Sequence, residues 1–284
     1  MSQRFCFCTL AVGRRYRTHA QLLAQDLSRY APDFPFVILS DRPQAFAPYP
    51  NVIAHQHRLT SILGYHDKRQ VIERAIADFE TCLFMDSDVR ILGTVPHDID
   101  FPPGLTGRFG CSILKHNKPS KFSRSLPLIQ KIAEKLDLPL ETTIWLHEFM
   151  FAVRRQAGVE QAFLHHWRLL AYYFQWQGVY SGEGNVMGLA AALSGFHTGF
   201  KRTNSFAFFK DCIEKELIKT GKVALTEATV QCFQTQQSIE LPQTTWQKIM
   251  SRWLQFWGFH YRLTKFKIVA SQDKDFHHLL ALLN

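Results

Sequence analysis

Cys82-Leu83-Phe84-Met85 is an unbroken apolar run that stops at Asp86-Ser87-Asp88 and resumes at Val89. A run without the alternation of a half-exposed strand predicts a strand covered on both faces, and such strands belong to parallel sheets with helices on each side. In open α/β sheets, ligands bind beyond the carboxyl ends of the strands. Asp86 and Asp88 therefore fall where a ligand would sit. Two hard oxygen donors at this spacing suit Mg²⁺ or Mn²⁺ shared with substrate phosphates. A strand that merely ends in a polar turn fits the same residues, so the flanking chain has to decide.

The flanks repeat the same kind of unit. Residues 4–12 predict a first buried strand, broken by Gly13. Ala20, Leu23, Leu27 and Tyr30 then recur at helical spacing, and Pro32 ends that helix. Residues 36–39 predict a second strand, also ending in a polar pair, Ser40-Asp41, and residues 51–54 a short third. Strand, helix, strand predicts the α/β class: a Rossmann-like, mostly parallel sheet flanked by helices.

A helix over 66–79 buries Val71, Ile72, Ala75, Ile76 and Phe79. Lys68 precedes the first three of these by three, four and seven residues, which places it on the buried side of the first turn, beside Arg69. A lysine there is costly to desolvate unless it meets an anion; the other reading is a side chain that snorkels to water. Because this helix leads straight into the strand before Asp86, a cation pair and a carboxylate pair belong to one helix–strand unit.

Further along, residues 96–103 read as a loop and 105–114 as a strand interrupted by glycines. A basic loop follows to residue 125, with Lys115, Lys118, Lys121 and Arg124; it is either a lid or a solvated connection. Residues 128–136 predict a helix, and 145–153 a strand-like run containing His147 and Glu148. The helix over 159–176 has a core face of Phe163, Trp167, Leu170 and Phe174. In Gly182-Glu183-Gly184-Asn185, glycines flank a lone carboxylate before a helix of small apolar residues. Glu183 then heads a buried helix, where the dipole favours its charge. It is either a cap or a carboxylate aimed into a cleft.

The chain divides into a domain over 1–240 and a helical, aromatic and basic segment over 241–284. Trp246, Ile249, Met250, Trp253, Leu254 and Trp257 repeat there at helical spacing, among Lys248, Arg252, Arg262, Lys265 and Lys267. Such a segment packs on the domain or lies on an anionic membrane. A hydrophobic share of 46 % over 284 residues supports a sizeable core, and a formal charge of +9 suits anionic partners. The six cysteines form no CxxC pair, which predicts reduced thiols and a cytoplasmic protein, either free or, through its C-terminal segment, peripheral to the inner face of the membrane. No apolar run approaches the ~18 residues of a membrane span. The apolar opening is short and runs into Gly13-Arg14-Arg15, so no signal peptide is expected. His147-Glu148 lacks the second histidine of HExxH, and neither GxSxG nor a Walker loop occurs. Basic residues are dispersed and no nucleic-acid motif is present, so no nucleic-acid partner is expected.

Taken together, Thr9-Leu10-Ala11-Val12-Gly13, the strand ending in Ser40-Asp41, Lys68-Arg69 on a helix, and Phe84-Met85-Asp86-Ser87-Asp88-Val89 resemble nucleotide-sugar glycosyltransferases of the GT-A fold, bacterial type. The resemblance covers roughly residues 4–200. It implies a metal-dependent transferase that moves a sugar from a nucleotide-sugar, a UDP-sugar above all, to a hydroxyl on a glycan or glycolipid. It implies that Asp86 and Asp88 hold Mn²⁺ or Mg²⁺ on the donor diphosphate, with Ser87 between them. Thr9, Leu10, Ala11 and Tyr16 would line the base and ribose pocket, and Asp41 would approach the base. Lys68 and Arg69 would face the donor phosphates or sugar. Glu183 and Asn185 would stand near the transferred sugar, Glu183 as the catalytic carboxylate, with His147 and Glu148 touching donor or acceptor. Glu148 is the second catalytic candidate. His197, in His197-Thr198-Gly199-Phe200-Lys201, would be a third metal ligand, although the segment is two residues shorter than the family's. A nucleotidyltransferase on a similar sheet and a non-catalytic nucleotide-sugar-binding protein are the alternatives.

Overall fold

A computed structural model describes residues 4–118, 125–200, 206–240 and 244–284. Lys121 and Arg124 of the expected basic loop, and Lys201, lie outside them. The chain runs β1 (Phe5–Ala11), α1 (Arg14–Tyr30), β2 (Phe36–Ser40), β3 (Val52–Gln56), α2 (Lys68–Asp78), β4 (Thr81–Met85) and β5 (Arg90–Ile91). It continues through β6 (Gly104–Gly107), β7 (Gly110–Ser112), α3 (Ile113–Asn117), α4 (Leu126–Leu136), β8 (Ile144–Leu146) and β9 (Met150–Arg154). Then come α5 (Val159–Trp176), α6 (Glu183–Ser194), β10 (Thr198–Phe200), β11 (Phe208–Phe209), α7 (Asp211–Lys219), α8 (Glu227–Ile239), α9 (Thr245–Gln272) and α10 (Lys274–Leu283).

The central sheet has seven strands in the order β10-β6-β9-β4-β1-β2-β3. β1 pairs in parallel with β2 and β4, and β2 with β3. β9 runs antiparallel between β4 and β6. This is the expected mostly parallel sheet flanked by helices. Alternate residues of its central strands feed two separate cores, as the pleat requires. Cys6, Cys8, Cys82 and Phe84 pack under α2, α5 and α6, while Phe5, Phe7, Leu83 and Met85 pack under α1. Both faces being covered explains why β1 and β4 read as continuous apolar runs. The chain leaves β1 to one side for β2 and returns on the other for β4, so the strand order reverses between β1 and β4, and beyond the carboxyl ends of two such strands an open α/β sheet has its crevice.

Two predicted strands divide. The run over 105–114 becomes β6, β7 and the start of α3, with Gly104 at φ +115 where the chain enters β6. The run over 145–153 becomes β8 and β9, separated by a turn that carries His147 and Glu148. His147 and Glu148 mark that turn in the sequence, but Phe149 beside them is buried and makes the two strands read as one run.

The C-terminal segment is partly integrated. Phe266, Ala270, Phe276, Leu279 and Leu283 join the core beside α5, and Arg262 Nε donates to Ile62 O at 2.6 Å. The first half of α9 projects, with Trp246, Trp253 and Trp257 exposed. Among the described residues, no helix is long and apolar enough to cross a membrane.

Candidate functional site

Side chains with charge converge beyond Met85. The Asp86 amide donates to Phe149 O at 2.8 Å and extends the β4–β9 ladder by one bond, and Val89 N donates to Asp86 O at 3.0 Å to close the turn. Both carboxylates of the turn thereby stand at the mouth of the crevice. α2 delivers Lys68 to them. The loop before α2 is tied by the buried Asp67, which accepts from Thr60 N (2.8 Å) and Ser61 N (2.7 Å) and pairs with His57 Nε2 (2.8 Å). These bonds hold the Asp67 carboxyl below the usual range although burial pushes it up.

Lys68 is buried, as its helical position predicts. Its Nζ lies 2.9 Å from Asp86 Oδ1, 2.9 Å from Glu183 Oε1 and 3.0 Å from the carbonyl of Glu148. An ammonium group has three hydrogens. Two carboxylates and a carbonyl thus surround its charge. In the structure it gathers the carboxylates.

A second lysine, Lys210 at the start of α7, closes the other side. Its Nζ is 3.3 Å from Asp86 Oδ2 and also pairs with Asp88 Oδ1. Gln236 of α8 donates to Asp88 O at 2.8 Å. Burial raises Asp86, but the two ammonium groups outweigh it and hold its carboxyl below the ordinary range. Both lysines are correspondingly pushed up against the opposing effect of burial.

Glu148 differs from its neighbours. Its side chain is 20 % exposed, enough for a substrate atom to reach, whereas the Glu183 side chain is 5 % exposed and held by Lys68. Burial first, and then the charge of Glu183, push the Glu148 carboxyl up to about 7, with Lys68 and the Gly184 amide opposing them. α6 can bring Glu183 this close because Gly184 and Gly188 lie on the β8 backbone. A Cβ at either would collide with the carbonyls of Leu146 and Ile144. The small residues after Glu183 thus allow the contact, as their sequence suggests.

Other expected residues fall elsewhere. Thr9 and Ala11 are fully buried inside β1: the Thr9 hydroxyl donates to Met85 O at 2.6 Å, and Ala11 O accepts from Ser40 Oγ at 2.8 Å. They join strands and have no surface for a base or ribose, because β1 is covered on both faces and both edges. Leu10 packs against the core, while Tyr16 is half-exposed at the crevice rim. Asp41 accepts from Gly13 N (3.2 Å) and from Arg17 Nη1 at both oxygens (2.6 and 2.5 Å), so it braces the loop after β1. Arg69 pairs with Glu73 on its own helix at 2.8 Å, away from the cluster. Ser87 is buried within the turn. Asn185 is buried and accepts from Asn117 Nδ2 at 2.8 Å, which ties α6 to α3 instead of facing a sugar. His147 packs edge-on to Phe149, with ring centroids 4.9 Å apart, and burial holds it below the usual histidine range.

His197 is not a ligand of this site. Thr198 lies opposite Leu105, which makes His197 level with Gly104, then Arg154, then Thr81 at the start of β4. Asp86 stands beyond the other end of β4, ~16 Å further along at about 3.3 Å per residue, and three strands across. Among the described residues no three His, Cys, Asp or Glu side chains gather around a common ion position. An ion bridging Asp86 Oδ2 and Asp88 Oδ1 would have to enter where Lys210 Nζ already bridges them. The residues present therefore do not fit the Mn²⁺ or Mg²⁺ expected from the sequence.

Two contributors escaped the sequence reading. Lys210 lies 124 residues from Asp86 with no motif to mark it. Tyr65, three residues before Lys68, stands 44 % exposed, close enough to Glu183 and Asp86 to feel their charge, and partial burial and then the charge of Tyr16 raise its hydroxyl. A cleft of about 380 Å³ opens at the amino ends of the strands, lined by Asp33, Glu80, His97 and Arg154 among others. Arg154 pairs there with Glu80 and Asp100 at 2.8 Å each, and the cleft is remote from Asp86.

No family model matches the sequence, and a search of curated proteins finds no match. Solved structures are similar in three dimensions. The galactosyltransferase LgtC, in complex with donor and acceptor sugar analogs, aligns with 13 % identity and a TM-score of 0.43 over 68 % of this chain and 72 % of its own. An active-site mutant of LgtC aligns with 14 % identity and a TM-score of 0.43 over 68 % and 71 %. The bifunctional glycosyltransferase WbbM, in its apo form, aligns with 8 % identity and a TM-score of 0.43 over 71 % of this chain and 39 % of its own.

Proposed function

We propose that the protein is a glycosyltransferase that moves a sugar from a nucleotide-sugar, a UDP-sugar in the first instance, to a hydroxyl of a glycan or glycolipid. The observation that carries this reading is the meeting of Asp86, Asp88, Glu148 and Glu183 with Lys68 and Lys210 beyond β4, beside the crevice between β1 and β4. A diphosphate leaving group develops charge as its bond to the anomeric carbon breaks, and a fixed cation stabilises that charge. Lys210 engages two carboxylates and keeps one hydrogen for a phosphate oxygen. The acceptor hydroxyl must lose its proton as its oxygen bonds to that carbon, and a carboxyl poised near neutral pH suits the transfer. Glu148 has this property and some exposure. Glu183, shielded and held by Lys68, positions the cluster.

Incubation with a panel of nucleotide-sugars, with and without Mn²⁺, tests the reading. Release of nucleoside diphosphate is the expected outcome. Release of pyrophosphate from nucleoside triphosphate and sugar phosphate instead would make the protein a nucleotidyltransferase, and absence of any turnover with retained nucleotide-sugar binding would make it a binding protein.

The projecting half of α9 favours a glycolipid acceptor. Trp246, Trp253, Leu254 and Trp257 are each more than half exposed, next to Lys248 and Arg252. Aromatic residues with interspersed basic ones suit the headgroup region of an anionic membrane. Trp253→Ala with Trp257→Ala should weaken sedimentation with phosphatidylglycerol vesicles and leave stability within about ±0.5 kcal/mol, as for surface positions. Unchanged sedimentation would remove membrane contact from the proposal.

A further inference from the structure

The Asp86–Asp88 pair is the part of the molecule in which sequence pattern and structure diverge most. Two carboxylates one residue apart at a strand end invite a divalent ion, yet the structure places an ammonium group between them. Lys210 is 8 % exposed, and its Nζ touches one oxygen of each carboxylate. An ion shared by the same two oxygens would lie roughly 2.0–2.2 Å from each. That position falls within the volume of the ammonium, so the two cations exclude one another.

The fold fixes this lysine. β11 pairs antiparallel with β5, with Phe208 opposite Ile91 and Phe209 opposite Arg90. Continuing the register puts Lys210 opposite Val89, beside Asp88. Leu92 N donates to Ala207 O at 2.8 Å and lengthens the pairing. β5 is in turn anchored to α1: Arg90 Nε donates to Asp26 Oδ2 at 2.6 Å, and Ile91 N to the same oxygen at 3.1 Å. Phe209 is buried and packs edge-on against Phe233 of α8. The segment that carries Lys210 therefore has a register, an anchor and a core residue. Moving the ammonium out would break its pairing and leave a long side chain to find another partner.

The charges are also apportioned. Lys68 Nζ is hemmed in by Asp86, Glu183 and the carbonyl of Glu148. Lys210 spends two on Asp86 and Asp88. Lys210, with one hydrogen left over, stands where the ion would be.

We propose that Lys210, in place of a divalent metal, is the resident cation of the Asp86–Asp88 pair, and that its remaining hydrogen meets the diphosphate of the donor. The diphosphate half rests on the transferase reading; the cation half does not.

Mn²⁺ titration of the full chain, with free ion followed by electron paramagnetic resonance, tests the cation half. The wild type should show no saturable binding in the millimolar range. Lys210→Met keeps the aliphatic stem and removes the charge; it should bind Mn²⁺ at least about tenfold more tightly, because an ammonium in contact with the pair no longer opposes the ion. Adding Asp88→Asn should abolish that gain. Saturable Mn²⁺ binding by the wild type that Asp88→Asn removes would overturn the proposal. So would a folded Lys210→Met variant, checked by circular dichroism, with no gain. If Lys210→Met does not fold, the wild-type titration alone decides.

Calorimetry with UDP tests the diphosphate half. Affinity in the presence of EDTA should equal that with Mn²⁺, and Lys210→Met should lower it about tenfold or more. UDP binding that requires Mn²⁺ would overturn the proposal. Failure to bind UDP in either condition would overturn the diphosphate half together with the transferase reading, and the Mn²⁺ titration would still decide the cation half.

Discussion

Removing the Lys68 ammonium is the most direct test of how the cluster holds together. In Lys68→Met the side chain keeps its length and loses three contacts: two to carboxylates at 2.9 Å and one to a carbonyl at 3.0 Å. The Lys68 and Glu183 side chains are 9 % and 5 % exposed, so water cannot replace the lost partner at Glu183. Charge-assisted hydrogen bonds of this kind contribute roughly 1.5–3 kcal/mol each. Breaking a buried pair by deleting one member costs about 3–5 kcal/mol, since the remaining charge is left uncompensated. The expected loss at pH 7 is therefore about 3–5 kcal/mol, measured by urea denaturation. The loss should depend on pH with a definite sign. Asp86 has a lowered folded pKa, so in the wild type its contribution is present above its unfolded value near ~3.9 and is lost as pH falls through the lower folded value. The variant lacks most of that contribution, and its carboxylates take up protons more readily. The gap between the two proteins should narrow as pH falls below ~4. Adding Glu183→Gln to Lys68→Met should recover part of the loss, because the two side chains are in contact and their effects do not add. A loss below ~1 kcal/mol at pH 7, or one that is the same at pH ~3 and pH 7, would refute the claim that Lys68 gathers the carboxylates.

Glu148→Gln should respond to pH in the opposite direction. A carboxyl raised to about 7 contributes stability fully below its unfolded value of ~4.3 and loses it as pH rises through about 7, so the variant should gain on the wild type by on the order of 2–3 kcal/mol across that window. Parallel stability curves from pH 4 to pH 8 would contradict this. The same substitution should lower transfer by ~10²–10⁴-fold and remove a rise in rate near pH 7, if Glu148 takes the acceptor's proton; a retained rate with a retained pH profile would exclude that role. Gly184→Ala should destabilise the protein by roughly 1–3 kcal/mol, because its Cβ meets the Leu146 carbonyl, and an unchanged melting temperature would refute so close an approach of α6 to β8.

Where periodicity carried information, the sequence was readable. Apolar runs located β1, β2 and β4, because strands covered on both faces need apolar residues at every position. Helical spacing placed Lys68 on the buried side of α2, and the structure finds it there. The glycines after Glu183 marked a helix able to lie on its neighbour's backbone, as Gly184 and Gly188 do. These features depend on residues a few positions apart, and local geometry is all they need.

What surrounds the carboxylates was decided by tertiary structure. Thr9 and Ala11 looked like the exit of a strand, but β2 and β4 enclose them from both edges. His197 looked like part of a ligand segment, but the β6–β10 register sets it at the opposite end of the sheet. Asn185 looked exposed to substrate, but α3 brings Asn117 onto it. Lys210 carried no local signature, and it reaches Asp86 and Asp88 because the β5–β11 pairing fixes where α7 begins. Two carboxylates at a strand end are a property of a short stretch of chain. Which cation stands between them depends on a strand register more than a hundred residues away, and no spacing within the stretch encodes that.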